Sequence, residues 1–180
     1  MDAEITRWIN SFAGQGAFVD QIAITVTQVG VPAIVALVVL QWWSRHDRLH
    51  MRHAVICAGL SFLFGLAVNQ LILIFLHRVR PYDAGVSHLL IARSADWSFP
   101  SDHATASMAV TAAFLMEKIW GRALVLFIMA FFVCLSRVYV GTHYLTDVLG
   151  GAATGVAAAV MVHFVYRENS RLDRFVTGIL

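Results

Sequence analysis

The sequence predicts an all-α, polytopic membrane helical bundle, and two observations predict it. Of 180 residues, 59% are hydrophobic and only 13% are charged, about half the ~25% charge with which an ordinary soluble domain covers its surface. The charges are also grouped. Gln21–Ser44 and Ala54–Leu76 contain no Asp, Glu, Lys or Arg, and about 20 predominantly apolar residues suffice to cross a bilayer. Composition therefore excludes disorder and argues against a water-soluble globule, and the chain reads as one integral membrane domain over residues 1–180. The net charge of +2 fits the Lys/Arg that membrane proteins keep on their cytoplasmic side and does not call for a nucleic-acid partner.

Taken in order, Ile5, Trp8, Ile9 and Phe12 recur at helical spacing, so Asp2–Ala13 is expected to be a short amphipathic helix lying in the interface. Met1–Phe18 lacks the basic start and apolar core of a signal peptide. After Gly14–Gly16 a first span is expected over Asp20–Trp43, with Pro32 inside it, and a second over His53–Leu76. His77–Phe99 is too polar to cross and exceeds the ~12–15 residues of an ordinary connector, a length that usually carries function. Three further spans are expected at Ser101–Glu117, Trp120–Tyr139 and Tyr144–Tyr166, the last with Gly150, Gly151 and Gly155 for close packing. The expectation is five transmembrane helices plus one interfacial helix.

The positive-inside rule orients this bundle. With Ser44–Arg52 inside, the cytoplasmic side holds Arg45, Arg48, Arg52, Lys118, Arg122, Arg167, Arg171 and Arg174, and the outer side Arg7, Arg78, Arg80, Arg93 and Arg137. The polar segment and the turn near Val140–His143 then share the outer face.

Three clusters on that face gather the reactive side chains: Arg78-Val79-Arg80-Pro81, Pro100-Ser101-Asp102-His103, and Ser136-Arg137 with His143 and Asp147. Ionisable groups at span ends are costly unless paired or hydrated, which makes them functional candidates. His143 and Asp147 stand four apart on one helical face, where a carboxylate can fix the imidazole tautomer and leave a nitrogen as nucleophile or base. Arg80 and Arg137 offer planar forks for phosphate oxygens. Ser101 opens a helix whose N-terminus favours anions, and His103, one turn in, is placed to protonate a leaving group. Together these residues describe phosphoryl transfer better than any other reaction class.

Ser136-Arg137-x5-His143-x3-Asp147 resembles the third signature of the phosphatidic acid phosphatase type 2 (PAP2) superfamily, a spacing expected by chance on the order of 10⁻³ per chain of this length. Pro100-Ser101-Asp102-His103 resembles its PSGH signature, and Arg80-Pro81 the end of its first. The resemblance implies a six-helix core, His143 as a nucleophile forming a phosphohistidine, Asp147 orienting it, His103 as general acid, and Arg80, Ser101 and Arg137 binding phosphate, with no metal or cofactor. Two departures stand out. Leu73 occupies the position of the first signature's Lys, leaving Arg78 or Asn69-Gln70 as substitutes, and Asp102 replaces the Gly of PSGH; Arg78 and Asp102 are thus further candidates for phosphate contact. The Arg-x-Arg-Pro and Phe-Pro-Ser-Asp-His wording resembles the bacterial branch that dephosphorylates undecaprenyl diphosphate, which implies a lipid phosphate partner in the bacterial cytoplasmic membrane and a site facing outward.

Phosphatidylglycerophosphate, phosphatidic acid and lipid A are the alternative substrates of the same reading. Outside enzymology stand a headgroup-binding or transport protein, which needs arginines but no oriented imidazole, and a cytochrome with His103 and His143 as axial ligands, which leaves Arg80, Arg137 and Asp147 unexplained. His46, His50, His53 and His163 read as hydrated interface residues, Arg93 and Asp96 as a solvated loop face, Tyr139 and Tyr144 as interfacial aromatics, and Cys57 and Cys134 as small buried hydrophobes. His77 and His88 lie near the motifs without a fixed role.

Overall fold

The architecture follows from where apolar runs stop and polar turns begin. In the computed structural model, which describes residues 1–179, the elements are α1 (Asp2–Asn10), α2 (Ala17–Leu40) running into a 3₁₀ turn at Gln41–Trp43, α3 (Arg48–Phe75), α4 (Asp102–Met116), α5 (Trp120–Tyr139), α6 (Leu145–Val165) and α7 (Arg171–Thr177). No strand occurs among the described residues. Four stretches, Ala17–Trp43, Arg48–Phe75, Trp120–Tyr139 and Leu145–Val165, are long and apolar enough to cross a membrane.

The packing is that of a chain solvated by lipid. Large apolar side chains such as Phe64, Leu71, Phe131, Phe132, Leu149 and Phe164 cover the outside, whereas Thr27, Ser61, Asn69, Thr105 and Ser107 are buried. A water-soluble fold would reverse that distribution. At the centre lies α4, with ten of its fifteen residues buried and its main contacts to α6, α3 and α5. Small residues allow that position. A Cβ added at Gly151 would lie 2.4 Å from the Ser101 carbonyl oxygen, and one at Gly155 2.4 Å from that of Thr105, so α4 and α6 meet backbone to backbone. The Thr105 hydroxyl donates across the seam to Gly151 O at 2.9 Å and accepts from Asn69 Nδ2 of α3 at 2.8 Å.

One end of the bundle gathers the N-termini of α2, α4 and α6, the C-termini of α3 and α5, and the segment between Phe75 and Ser101, which has no regular secondary structure. That segment is nevertheless tied down: Ser98 N–H donates to Arg78 O, Leu90 N–H to Val140 O, and Ser87 Oγ to Gly141 O.

Helix α1 lies on the same end and turns its polar side inward. Thr6 and Asn10 are buried while Trp8 and Phe12 are exposed. Asp2 Oδ1 accepts Thr146 N–H at 3.1 Å and Thr6 Oγ1 accepts Leu145 N–H at 3.1 Å. These are the first amides of α6, which have no partner within their own helix. Asn10 bridges Tyr139 O and the main chain of His88. Ile5, Trp8 and Phe12 of the apolar stripe therefore face outward, as suits a helix lying in an interface, while Ile9 is half-buried and packs against the cluster of Ala104, Val138 and Val148.

At the opposite end the structure corrects the sequence reading. Helix α3 starts at Arg48 rather than His53, and His53 is 2% exposed instead of hydrated, with Nδ1 2.8 Å from Asp173 Oδ1. Asp173 belongs to α7, an unanticipated helix whose signal was present: Ser170 caps it by accepting Asp173 N–H, a Ser-x-x-Asp pattern typical of helix starts.

The α4–α6 seam yields a test. Gly155→Val forces side-chain atoms into the Thr105 backbone and is expected to cost at least about 1–3 kcal/mol, lowering the melting temperature in detergent. Gly59→Ala, at a position with nothing within 4 Å, is expected to leave it unchanged or raised. Equal melting of Gly155→Val and the parent would contradict the packing.

Candidate active site

The site is assembled where α5 turns into α6. Gly141 makes the turn at φ +82°, and a Cβ there would meet His88 O at 2.3 Å, so only glycine fits between turn and loop. Thr142 Oγ1 and His143 N–H both donate back to Arg137 O, which closes the C-terminus of α5 and turns His143 inward to 3% exposure.

The imidazole is oriented by a main-chain group. His143 Nδ1 lies 2.8 Å from the Ser98 carbonyl oxygen, and a carbonyl can only accept, so the ring proton sits on Nδ1 and Nε2 is left unprotonated. Arg80 Nη1, a donor, stands 3.4 Å from that Nε2. Burial pushes the His143 pKa down to about 4; Asp147 opposes the shift, while Arg137 and Arg80 add to it. The ring is therefore neutral at physiological pH.

Asp147 is placed differently from the expectation that it bonds the imidazole directly. Its Oδ2 is 3.7 Å from His143 Nδ1, beyond hydrogen-bond length. That oxygen accepts Ser98 Oγ at 2.5 Å and Tyr144 N–H at 2.8 Å, and Oδ1 accepts Arg78 Nη1 at 2.6 Å. The carboxylate thus holds Ser98, whose carbonyl holds His143.

The three arginines differ in how completely they are paired. Arg78 bonds Asp147, Asp2 and Thr146 and lies over the Tyr144 ring at 3.9 Å, so its fork is taken up by carboxylates rather than presented to a phosphate. Arg80 bonds Asp96 Oδ1 at 2.6 Å and the carbonyls of Asp96 and Thr142. Asp96 is accordingly no mere solvated loop residue: burial raises its pKa, but the Ser94 hydroxyl and Arg80 outweigh that and hold it below the usual carboxylate range. Arg137 is 7% exposed and, among the described residues, donates only to Thr27 Oγ1 at 3.4 Å and has no partner at Nε; the buried Ser101 hydroxyl likewise has none among them. Among the described residues no carboxylate forms an ion pair with Arg137. A buried, unmatched cation within electrostatic reach of an unprotonated imidazole nitrogen, and a buried hydroxyl without a partner at the start of α4, are groups that an anion can satisfy.

His103 lies against the Thr27 backbone of α2, within electrostatic reach of His143, Arg137 and Arg80. Asp102 turns away, accepting Asn69 Nδ2 at 2.7 Å. A carboxylate there accepts hydrogen bonds and repels a phosphate, so the geometry does not place Asp102 as a phosphate contact. Leu73 is half-buried, Asn69 is committed to Asp102 and Thr105, and Gln70 is exposed. None of Leu73, Asn69 and Gln70 supplies the cation that the first signature's Lys would. Sequence reasoning missed Ser98, Thr27 and the Asp96 pairing; each acts through long-range bonds that leave no periodic or motif signal.

The chain is similar to known membrane phosphatases over most of its length. The family model of the PAP2 superfamily matches residues 54–171. The undecaprenyl-diphosphatase BcrC of Bacillus subtilis is 34% identical over 97% of this chain and 86% of its own length, and the putative undecaprenyl-diphosphatase YbjG of Escherichia coli is 26% identical over 88% and 79%. Among solved structures, a transmembrane PAP2-type phosphatidylglycerolphosphate phosphatase from Bacillus subtilis superposes with a TM-score of 0.71 at 23% identity, covering 94% of this chain and 86% of that one. LpxE of Aquifex aeolicus superposes with a TM-score of 0.72 at 20% identity, covering 89% and 93%. A multi-pass helical bundle carrying these motifs, matched over most of its length, belongs to the PAP2 superfamily of membrane phosphatases.

Proposed function

We propose that the protein removes the terminal phosphate of a lipid diphosphate, undecaprenyl diphosphate foremost, through a phosphohistidine on His143. The observation that carries the reading is the unmatched Arg137 within electrostatic reach of the unprotonated Nε2 of a neutral, buried His143, with the Ser101 hydroxyl left without a partner. The name of the 34% identical relative supports the choice of lipid.

In this mechanism the terminal phosphoryl group enters against Arg137 and Ser101 and displaces Asp96 from Arg80, so that two guanidinium forks and a hydroxyl hold its non-bridging oxygens. Nε2 attacks phosphorus, the bond to the bridging oxygen breaks, and the lipid monophosphate departs. A phosphate monoester is a better leaving group than an alkoxide, so little is asked of His103 in that step. Water then attacks phosphorus as the P–N bond breaks, its protons leave with the inorganic phosphate, and a neutral imidazole remains. Ser98 O keeps the proton on Nδ1 of His143, and Asp147 keeps Ser98 in place.

The same reading counts α4 as a fifth crossing element. At 1.5 Å per residue its fifteen residues run about 22 Å, from Ser101, whose N–H donates to Asp147 O, to Glu117, which meets His163 at the far end. With α1 in the interface and Arg45, Arg48 and Arg122 on the cytoplasmic side, the site faces outward across the bacterial cytoplasmic membrane.

Two outcomes are expected. His143→Ala loses phosphate release from undecaprenyl diphosphate by at least about 10⁴-fold, as removal of a nucleophile does, and Arg137→Ala loses about 10²–10³-fold, both with unaltered elution in size-exclusion chromatography; near-normal turnover of His143→Ala would refute the mechanism. For orientation, Ala84→Cys in a chain lacking Cys57 and Cys134 is expected to react with an impermeant maleimide in intact cells. Protection until the cells are opened would overturn the outward-facing site.

A further inference from the structure

At the end of the bundle opposite His143, a second cluster of chemically active side chains is buried, and the phosphatase reading makes no use of it. His53 and Cys57 stand four apart on one face of α3, and Glu117 closes the C-terminus of α4. All three are more than nine-tenths buried. His53 Nε2 lies 3.4 Å from Cys57 Sγ and 3.6 Å from Glu117 Oε2, and the three ligand atoms fall within 4.8 Å of one another. We propose that His53, Cys57 and Glu117 form a binding site for a borderline-soft divalent transition ion of the Zn²⁺ class, separate from the catalytic end.

Four observations carry this. First, bonds of about 2.0–2.1 Å to nitrogen, 2.0–2.2 Å to oxygen and 2.3 Å to sulfur in a tetrahedron require ligand atoms about 3.3–3.6 Å apart, close to both separations around His53 Nε2. Second, the outer shell of a metal site is in place. His53 Nδ1 is bonded to Asp173 Oδ1 at 2.8 Å, the carboxylate–histidine pairing that directs the other ring nitrogen at a metal. Asp173 is held by Asn169 N–H, and the second oxygen of Glu117 by His163 Nδ1 at 2.8 Å. The Tyr166 ring stacks on His53 at 5.2 Å and fixes its plane. Third, charge balances: a thiolate, a carboxylate and a neutral imidazole leave a 2+ ion neutral, the arrangement a low-dielectric interior tolerates best. Fourth, a cavity of about 280 Å³ bordered by His53, Glu117 and His163 gives access and room for a water as fourth ligand.

A sulfur donor beside an imidazole selects this class of ion over Mg²⁺ or Ca²⁺, which prefer oxygen. On binding, Cys57 forms an S–metal bond and releases its proton to solvent, so uptake liberates one proton per ion if the carboxylate is already ionised. The ion would join α3 and the end of α4 directly, α6 through the His163–Glu117 bond and α7 through Asp173.

The test uses the full chain in detergent with any affinity tag removed, stripped with chelator and re-equilibrated with Zn²⁺ or Co²⁺ alone. One equivalent of Zn²⁺ by mass spectrometry is expected, and the Co²⁺ form should show thiolate-to-cobalt charge transfer with intense tetrahedral visible bands. Cys57→Ala should abolish the charge-transfer band, and both it and Glu117→Gln should weaken Zn²⁺ binding by at least about 10–100-fold, while Cys134→Ala leaves all of these unchanged. Cys57→Ala removes one sulfur from a packed position, and its size-exclusion profile reports that the fold persists. Failure of the parent to retain stoichiometric Zn²⁺, or an unchanged cobalt spectrum in Cys57→Ala, overturns the site whatever becomes of the phosphatase mechanism.

Discussion

A carboxylate with no exposure to solvent must be ringed by donors, and at Asp147 those donors come from three separate stretches of chain. Tyr144 N–H belongs to the start of its own helix, Ser98 to the segment before α4, and Arg78 to the segment after α3. Each unmade bond to a buried charge would cost about 1–3 kcal/mol or more, so the position of Asp147 dictates where the others must be. Through Arg78 it reaches Asp2 and so fixes α1, which in turn caps α6. Through Ser98 it sets the carbonyl that holds His143. The irregular segment is ordered not by secondary structure but by this charge.

The same constraint sorts the cations at the site. Arg78 is matched by two carboxylates, Arg80 by one carboxylate from a half-exposed loop residue, and Arg137 by none. A phosphate arriving at the site would therefore find one fork free, one releasable by exchange of Asp96 for a phosphate oxygen, and one held out of reach. On the proposed mechanism, two guanidinium groups rather than three cations would hold the phosphate, which suits a chain in which Leu73 stands where the family's first signature has Lys.

The fold was largely legible because lipid imposes long uncharged runs. The bounds expected for α5 match those observed, and α4 and α6 are each one residue shorter at either end than expected. Helix α3 starts earlier than expected because Arg52 and His53 are drawn into contacts with Thr177 and Asp173, a long-range effect that local polarity misreads as a loop. The catalytic motifs were visible as side chains at fixed spacing. What they concealed was the main-chain half of the site: nothing in Ser98-Phe99-Pro100 announces that a carbonyl there orients an imidazole 45 residues away. The amphipathic pattern of α1 was legible, but not that its polar face would be the one facing the protein.

The account rests on His143 being a neutral imidazole whose proton is held on Nδ1 by Ser98 O, leaving Nε2 unprotonated beside the arginines. A ¹⁵N NMR titration of histidine-labelled protein, with the His143 signals assigned by their loss in His143→Ala, measures this directly. The ring is predicted to show the Nδ1–H tautomer through neutral pH and to resist protonation until about pH 4. A His143 that titrates near the ordinary 6.5, or that carries its proton on Nε2, would contradict the account.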